Sequence, residues 1–124
     1  MEENFKVNSK LLPTGFLREF DAHIYFTEDK LAEATLLRDK IKDYFKDSVF
    51  FVGEMIPVLI GPHTQPMFEA NFPKDMFMEV SLWLMDNRGE FSVLIHSLSG
   101  DDLADHTIGA KWLGAEVKLD YSKF

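Results

Sequence analysis

Strand-like runs and helical periodicities follow one another along this chain in the order β-α-β-β-α-β, and few single-domain folds accommodate that order. Residues 20–27 form a short apolar and aromatic run that reads as strand one. Thr27 stands where a helix N-cap belongs, with Glu28 and Asp29 in the first turn, and Leu31, Ala34, Leu37, Ile41, Tyr44 and Phe45 recur at helical spacing as far as Lys46. Residues 49–60 are β-branched and aromatic, with Gly53 and Pro57 marking a bend or an edge. Gly61-Pro62 predicts a turn, and residues 66–72 a third strand. A second helix over residues 74–86 is opened by Pro73 and closed at Asn87-Arg88-Gly89. Residues 91–96 supply strand four, followed by a short helix over about residues 101–110 and a loosely structured end. The expected architecture is an α+β, ferredoxin-like sandwich whose four-stranded antiparallel sheet has strand one between strands three and four.

Alternation along the strands then assigns faces, because successive side chains of a strand point to opposite sides. Val93 and Ile95, Ala22 and Ile24, and Phe68, Ala70 and Phe72 belong to the helix-facing side. That leaves His23 and Tyr25 from strand one, Glu69 and Asn71 from strand three, and His96 from strand four on the open side. Antiparallel pairing brings His23 and His96 together, with Cβ atoms roughly 4.5–5.5 Å apart if the two are directly opposed. Two imidazoles so placed can converge on one borderline metal. For a third ligand Glu69 and His106 rank level, the latter carried over the open face by its short helix. His63 is expected at the far end of strand three, beyond ligand reach of His23 within one subunit unless a different register, a curled loop or a partner chain brings it there. The apolar residues of the open face require cover, either from the C-terminal segment or from a second subunit, and a homodimer is expected.

The 124 residues suffice for one domain, read as an N-terminal arm over residues 1–18 and a single domain over residues 19–124. Thirteen basic against 21 acidic residues, with no basic stripe, argue against a nucleic-acid partner. The absence of cysteine removes disulfides and thiolate metal sites. No hydrophobic leader core or apolar run of membrane-spanning length is present, so a soluble, cytoplasmic protein is expected.

DAHIYF (21–26), IGPHTQPMFEANFP (60–73), WLMDNRGEFSVLIH (83–96) and GDDLADHTIGAKWLG (100–114) resemble, in this order, the signature blocks of the DOPA 4,5-dioxygenase family. These are small proteins similar to the fungal enzyme that opens the catechol ring of DOPA. Ser97-Leu98-Ser99 departs from the Pro-Asn-Thr type of sequence expected after the last histidine strand. The resemblance implies a non-haem Fe(II) centre, or another divalent metal on the same donors, and extradiol cleavage of a small aromatic diol by O₂. His23, His96 and Glu69 are then the expected metal ligands. His106, His63 and Tyr25 are the expected catalytic groups, with one histidine as base and Tyr25 as hydrogen-bond donor.

Plainer readings stand beside these. Asp101, Asp102 and Asp105 suit the N-terminal turn of a helix, although Asp102 and Asp105 also look like a carboxylate pair that orients His106. Trp83 and Trp112 are expected in the core, and Met55, Met67, Met76, Met78 and Met85 as packing residues. Arg88 reads as a turn residue. A non-catalytic, dimeric small-molecule-binding protein of the same fold is the alternative, because fold alone does not imply catalysis. A Zn or Mn hydrolase or isomerase is a third option.

Overall fold

Strand β1 (Glu19–Tyr25) lies in the middle of an antiparallel sheet, paired with β3 (Met67–Pro73) along one edge and β4 (Val93–Ser97) along the other. The computed structural model describes residues 19–124, and the expected N-terminal arm lies outside the described residues. β2 (Phe51–Val52) pairs with β3, and β5 (Lys111–Leu113) with β4, giving the order β2-β3-β1-β4-β5. Helix α1 (Leu31–Tyr44) connects β1 to β2, α2 (Phe77–Asn87) connects β3 to β4, and the short α3 (Asp102–His106) precedes β5.

The inner four strands follow the expected order, but the sheet has five strands rather than four. The C-terminal stretch expected to be loose instead pairs with the edge of β4, opposing Leu113 to Val93 and Lys111 to Ile95. That edge would otherwise present unpaired backbone groups. Strand β2 is far shorter than residues 49–60 suggested. Beyond Val52 only one isolated bridge, Ile56 to Met67, continues the pairing. At the break, the Gly53 N–H donates to the Glu69 carbonyl (2.7 Å), and its own carbonyl accepts from Arg38 Nε (2.6 Å). A Cβ at Gly53 would lie 3.3 Å from Glu69 Cγ, so this close approach favours glycine. Thr27 takes the expected N-cap position with Glu28 and Asp29 in the first turn, but it opens a 3-10 turn over Glu28–Lys30 that leads into α1. Its hydroxyl donates to Asp29 (2.6 Å) instead of accepting from a backbone N–H.

Burial follows the alternation. Ala22, Ile24, Phe68, Ala70, Phe72, Val93 and Ile95 pack against Ala34, Leu37 and Ile41 of α1 and against Val80 and Leu84 of α2. Trp83, Met55 and Met76 flank this core, whereas Met78 and Met85 stand exposed on the outer side of α2, contrary to their expected packing role. A second apolar cluster occupies the opposite face. Tyr25, Met67 and Leu94 lie under Val117 and Leu119 of the C-terminal segment, with Trp112 stacked on Tyr25 at 5.9 Å between ring centroids. The apolar area that suggested a second subunit is thus covered by the chain itself. Among the described residues no helix is long and apolar enough to cross a membrane.

Leu119 is nearly fully buried in this cluster. Leu119→Ala should cost about 2–5 kcal/mol, the range for emptying a leucine site in a packed core. Urea unfolding checks it, and a loss below about 1 kcal/mol would contradict the packing of the C-terminal segment on the sheet.

Candidate metal centre

The register of β1 puts His23 opposite Glu69 on one side and Leu94 on the other, while His96 stands opposite Asp21. The two histidines are the near neighbours expected from antiparallel pairing, on diagonal and not directly opposed positions. Diagonal positions remain within reach of long side chains, and the rings close the gap. Nε2 of His23 lies 3.0 Å from Nε2 of His96, with the residues only 4% and 2% exposed.

Local structure fixes which nitrogen of each ring is available. His96 Nδ1 donates to the Ser97 carbonyl (2.9 Å) and His106 Nδ1 donates to the Asp102 carbonyl (2.7 Å), since a carbonyl oxygen only accepts. In the neutral rings both Nε2 atoms then carry a lone pair. Carbonyl partners of this kind fix tautomer and ring orientation in metal sites. His106 ends α3, whose N-cap Asp101 accepts from the Ala104 N–H (3.0 Å). Asp105 accepts from the Ser99 N–H (3.0 Å) and hydroxyl (2.7 Å), which pins the loop between β4 and α3. The expected carboxylate pair orienting His106 is thus replaced by the Asp102 carbonyl, with Asp105 turned to the loop.

His63 is not at the far end of the sheet. Its ring centroid lies 4.4 Å from that of His23 and 5.9 Å from that of His106. The connection between β2 and β3 turns back across the open face instead of running on as a strand. A turn closes through the His63 N–H to the Ile60 carbonyl (3.0 Å), with Gly61 at φ +53°, a value that favours glycine. The C-terminal segment holds the loop there: the Asp120 N–H donates to the Pro62 carbonyl (2.8 Å), and the Thr64 hydroxyl to the Lys118 carbonyl (2.6 Å). On its other side, His63 Nδ1 meets the Tyr25 hydroxyl at 2.7 Å.

Two overlapping donor groups result. Asp21, His23 and His96 form one, and His23, His63 and His106 the other, each with ligand atoms all within 4.8 Å of one another. Asp21 was not singled out from sequence, although it lies two positions before His23 and so shares its face. Its Oδ2 is 4.0 Å from His23 Nε2, and its Oδ1 accepts from Asn71 Nδ2 (2.9 Å). Glu69 lines the same cavity but joins neither group. The donors fit a divalent metal. Two imidazole nitrogens bound at about 2.1 Å and about 90° to each other are separated by about 3.0 Å. Imidazole and carboxylate without thiolate suit Fe(II), Mn(II) or Zn(II).

Burial, and then the neighbouring His106 and His96, push the pKa of His63 down to about 4. Burial and His96 also lower His106, against opposing contributions from Asp102 and Asp105. Burial raises the Tyr25 phenol well above its usual value. Both imidazoles are therefore neutral at pH 7 and the phenol keeps its proton. The histidines line a cavity of about 250 Å³ that also includes Pro62, Leu98 and Phe124. A larger hollow of about 410 Å³ lies on the far side of Tyr25, beside Phe26, Lys30 and Phe91, and has no histidine in its wall. The donor chemistry belongs to the smaller cavity.

In the metal-free protein, His63 stays neutral in the native state between pH 6.5 and about 4, while the unfolded chain takes up a proton. Its contribution to stability is complete above about pH 6.5 and is lost as the pH falls toward 4. His63→Asn should flatten this acid limb in denaturation curves recorded with chelator. An unchanged limb would mean that His63 is not desolvated as described.

Residues 20–123 match the Dopa 4,5-dioxygenase family. A DOPA 4,5-dioxygenase from Amanita muscaria is 33% identical over an alignment of 110 residues that covers 84% of this chain and 48% of that protein. An uncharacterized 21.2 kDa protein from Botryotinia fuckeliana is 33% identical over an alignment of 122 residues that covers 90% of this chain and 66% of the relative. The chain thus spans between about half and about two thirds of the length of these relatives. The crystal structure of a protein from Nostoc punctiforme PCC 73102, named as a candidate dioxygenase, superposes with a TM-score of 0.74 at 28% identity, covering 86% of this chain and 90% of that one.

Proposed function

The chain belongs to the Dopa 4,5-dioxygenase family, and from that membership we propose that it opens the ring of a catechol with O₂ as a non-haem Fe(II) extradiol dioxygenase. The observation that carries the proposal is the 3.0 Å approach of two buried imidazole nitrogens inside a cavity walled by two further histidines. His23 and His96 hold the metal in this reading. Asp21, steadied by Asn71, is the carboxylate that groups with them. Glu69, the carboxylate favoured by sequence, pairs directly with His23 from β3 and lines the cavity wall. Ferrous iron bound there supplies Lewis acidity toward the diol oxygens and the redox chemistry that O₂ requires.

His106 is the base. Its Nδ1 is committed to the Asp102 carbonyl, its Nε2 lone pair is free to take a proton, and burial keeps it neutral at pH 7. A catechol hydroxyl seated in the cavity gives up its proton there. His63, neutral and backed by the Tyr25 hydroxyl, contacts the other side of the substrate. Tyr25 keeps its proton and so acts as a donor, not as a base. Deep burial of β1 and β4 around the site limits water, which strengthens each of these interactions. The relatives' names favour an oxygenase over the non-catalytic binding alternative.

The direct test is anaerobic Fe(II) loading followed by a catechol such as DOPA under air. O₂ uptake should accompany a yellow ring-cleavage product, both abolished by chelator. His96→Ala should lose iron and activity together. His106→Ala should retain iron while kcat falls about 100-fold or more, the usual loss for a general base. Full activity in His96→Ala, or no O₂ uptake with any catechol by the iron-loaded protein, would refute the reading.

A further inference from the structure

Of the ten residues that wall the histidine cavity, seven are imidazoles or carboxylates. Only Pro62, Leu98 and Phe124 offer apolar surface, and Phe124 is the one benzene ring among them. Its centroid lies 5.0 Å from that of His106, with the two planes inclined by 41°. Phe124 stays 40% exposed although it lines the cavity, and a phenylalanine gains by burial. The backbone that carries the ring is held in place. Asp120 accepts from the Ser122 N–H (3.1 Å), the Phe124 N–H donates to the Tyr121 carbonyl (3.3 Å), and the Asp120 N–H anchors this turn to Pro62. A placed, half-open aromatic face beside neutral imidazoles suits a flat ring, because offset aromatic pairs gain beyond the area they bury. The cavity volume of about 250 Å³ falls below the usual range for drug-sized ligands, about 300–1,000 Å³.

Resting on the dioxygenase reading, we infer that Phe124 is the specificity-determining wall of this site: it stacks on the substrate ring and restricts the cavity to single-ring catechols. Fused bicyclic diols are excluded by its ring, and a smaller residue at this position admits them.

The test is anaerobic titration of Zn(II)-loaded protein with 4-nitrocatechol and with 2,3-dihydroxynaphthalene, followed by absorbance and fluorescence. The wild type should bind the first and reject the second. Phe124→Ala should weaken 4-nitrocatechol about five- to tenfold, the size of a lost aromatic pair, and gain binding of the naphthalene diol. A gain of this kind cannot come from misfolding. Phe124→Leu keeps bulk without a flat face, so it should weaken 4-nitrocatechol yet still exclude the naphthalene diol. Unchanged affinities for both ligands in Phe124→Ala would overturn the inference, as would wild-type binding of the naphthalene diol. Tight 4-nitrocatechol binding without O₂-dependent ring opening by the Fe(II)-loaded protein would remove the oxygenase reading and leave the role of Phe124 intact. No 4-nitrocatechol binding by the loaded wild type would overturn both.

Discussion

Everything at this site hangs on the two-sided pairing of β1. Hydrogen-bonded to β3 along one edge and β4 along the other, it cannot shift by one residue without turning its apolar set out of the helix-side core. Ala22 and Ile24 commit one face of the strand to that core. The same alternation commits Asp21, His23 and Tyr25 to the other. Packing energy on one side thereby fixes the position of polar chemistry on the other, which is how four histidines come to be buried in close contact. Without the core behind them, histidines with nitrogens 3.0 Å apart would separate into water.

The opposite face is divided lengthwise. Toward the end of β1 it is apolar, with Tyr25, Met67 and Leu94 beneath Val117 and Leu119. Toward its start it is polar and carries the histidines. The C-terminal segment serves both halves: it buries two aliphatic side chains, ties down the loop that carries His63, and contributes Phe124 to the cavity wall. Tyr25 sits at the seam, its ring in the apolar cluster and its hydroxyl on His63. Stability and chemistry thus share a single boundary residue.

How much of this was legible in the sequence depends on whether the signal was local. Face assignment was, because a period of two is written in each strand; His23, His96, Glu69 and Asn71 fall on the predicted side. Strand order followed from the sequence of elements. Register did not, since composition carries no information on whether His23 opposes His96 or Leu94, and the answer is an offset of two residues. The place of His63 depends on an irregular loop held by hydrogen bonds from residues more than 50 positions away, a contact no local pattern encodes. Strand β5 spans three residues, too few for alternation to register. Asp21 was legible and was missed: the rule that placed His23 also places the residue two before it. The DOPA 4,5-dioxygenase resemblance supplied the reaction class, which spacing alone does not contain.

The central claim is that buried imidazoles from β1 and β4 hold one divalent metal. X-ray absorption at the iron edge of anaerobically loaded protein, with iron content measured on the same sample, tests it most directly. The account predicts one iron per chain and outer-shell scattering from at least two imidazoles, with first-shell nitrogen and oxygen at about 2.1 Å. Iron that fails to bind, or that binds through oxygen alone without imidazole scattering, would contradict it.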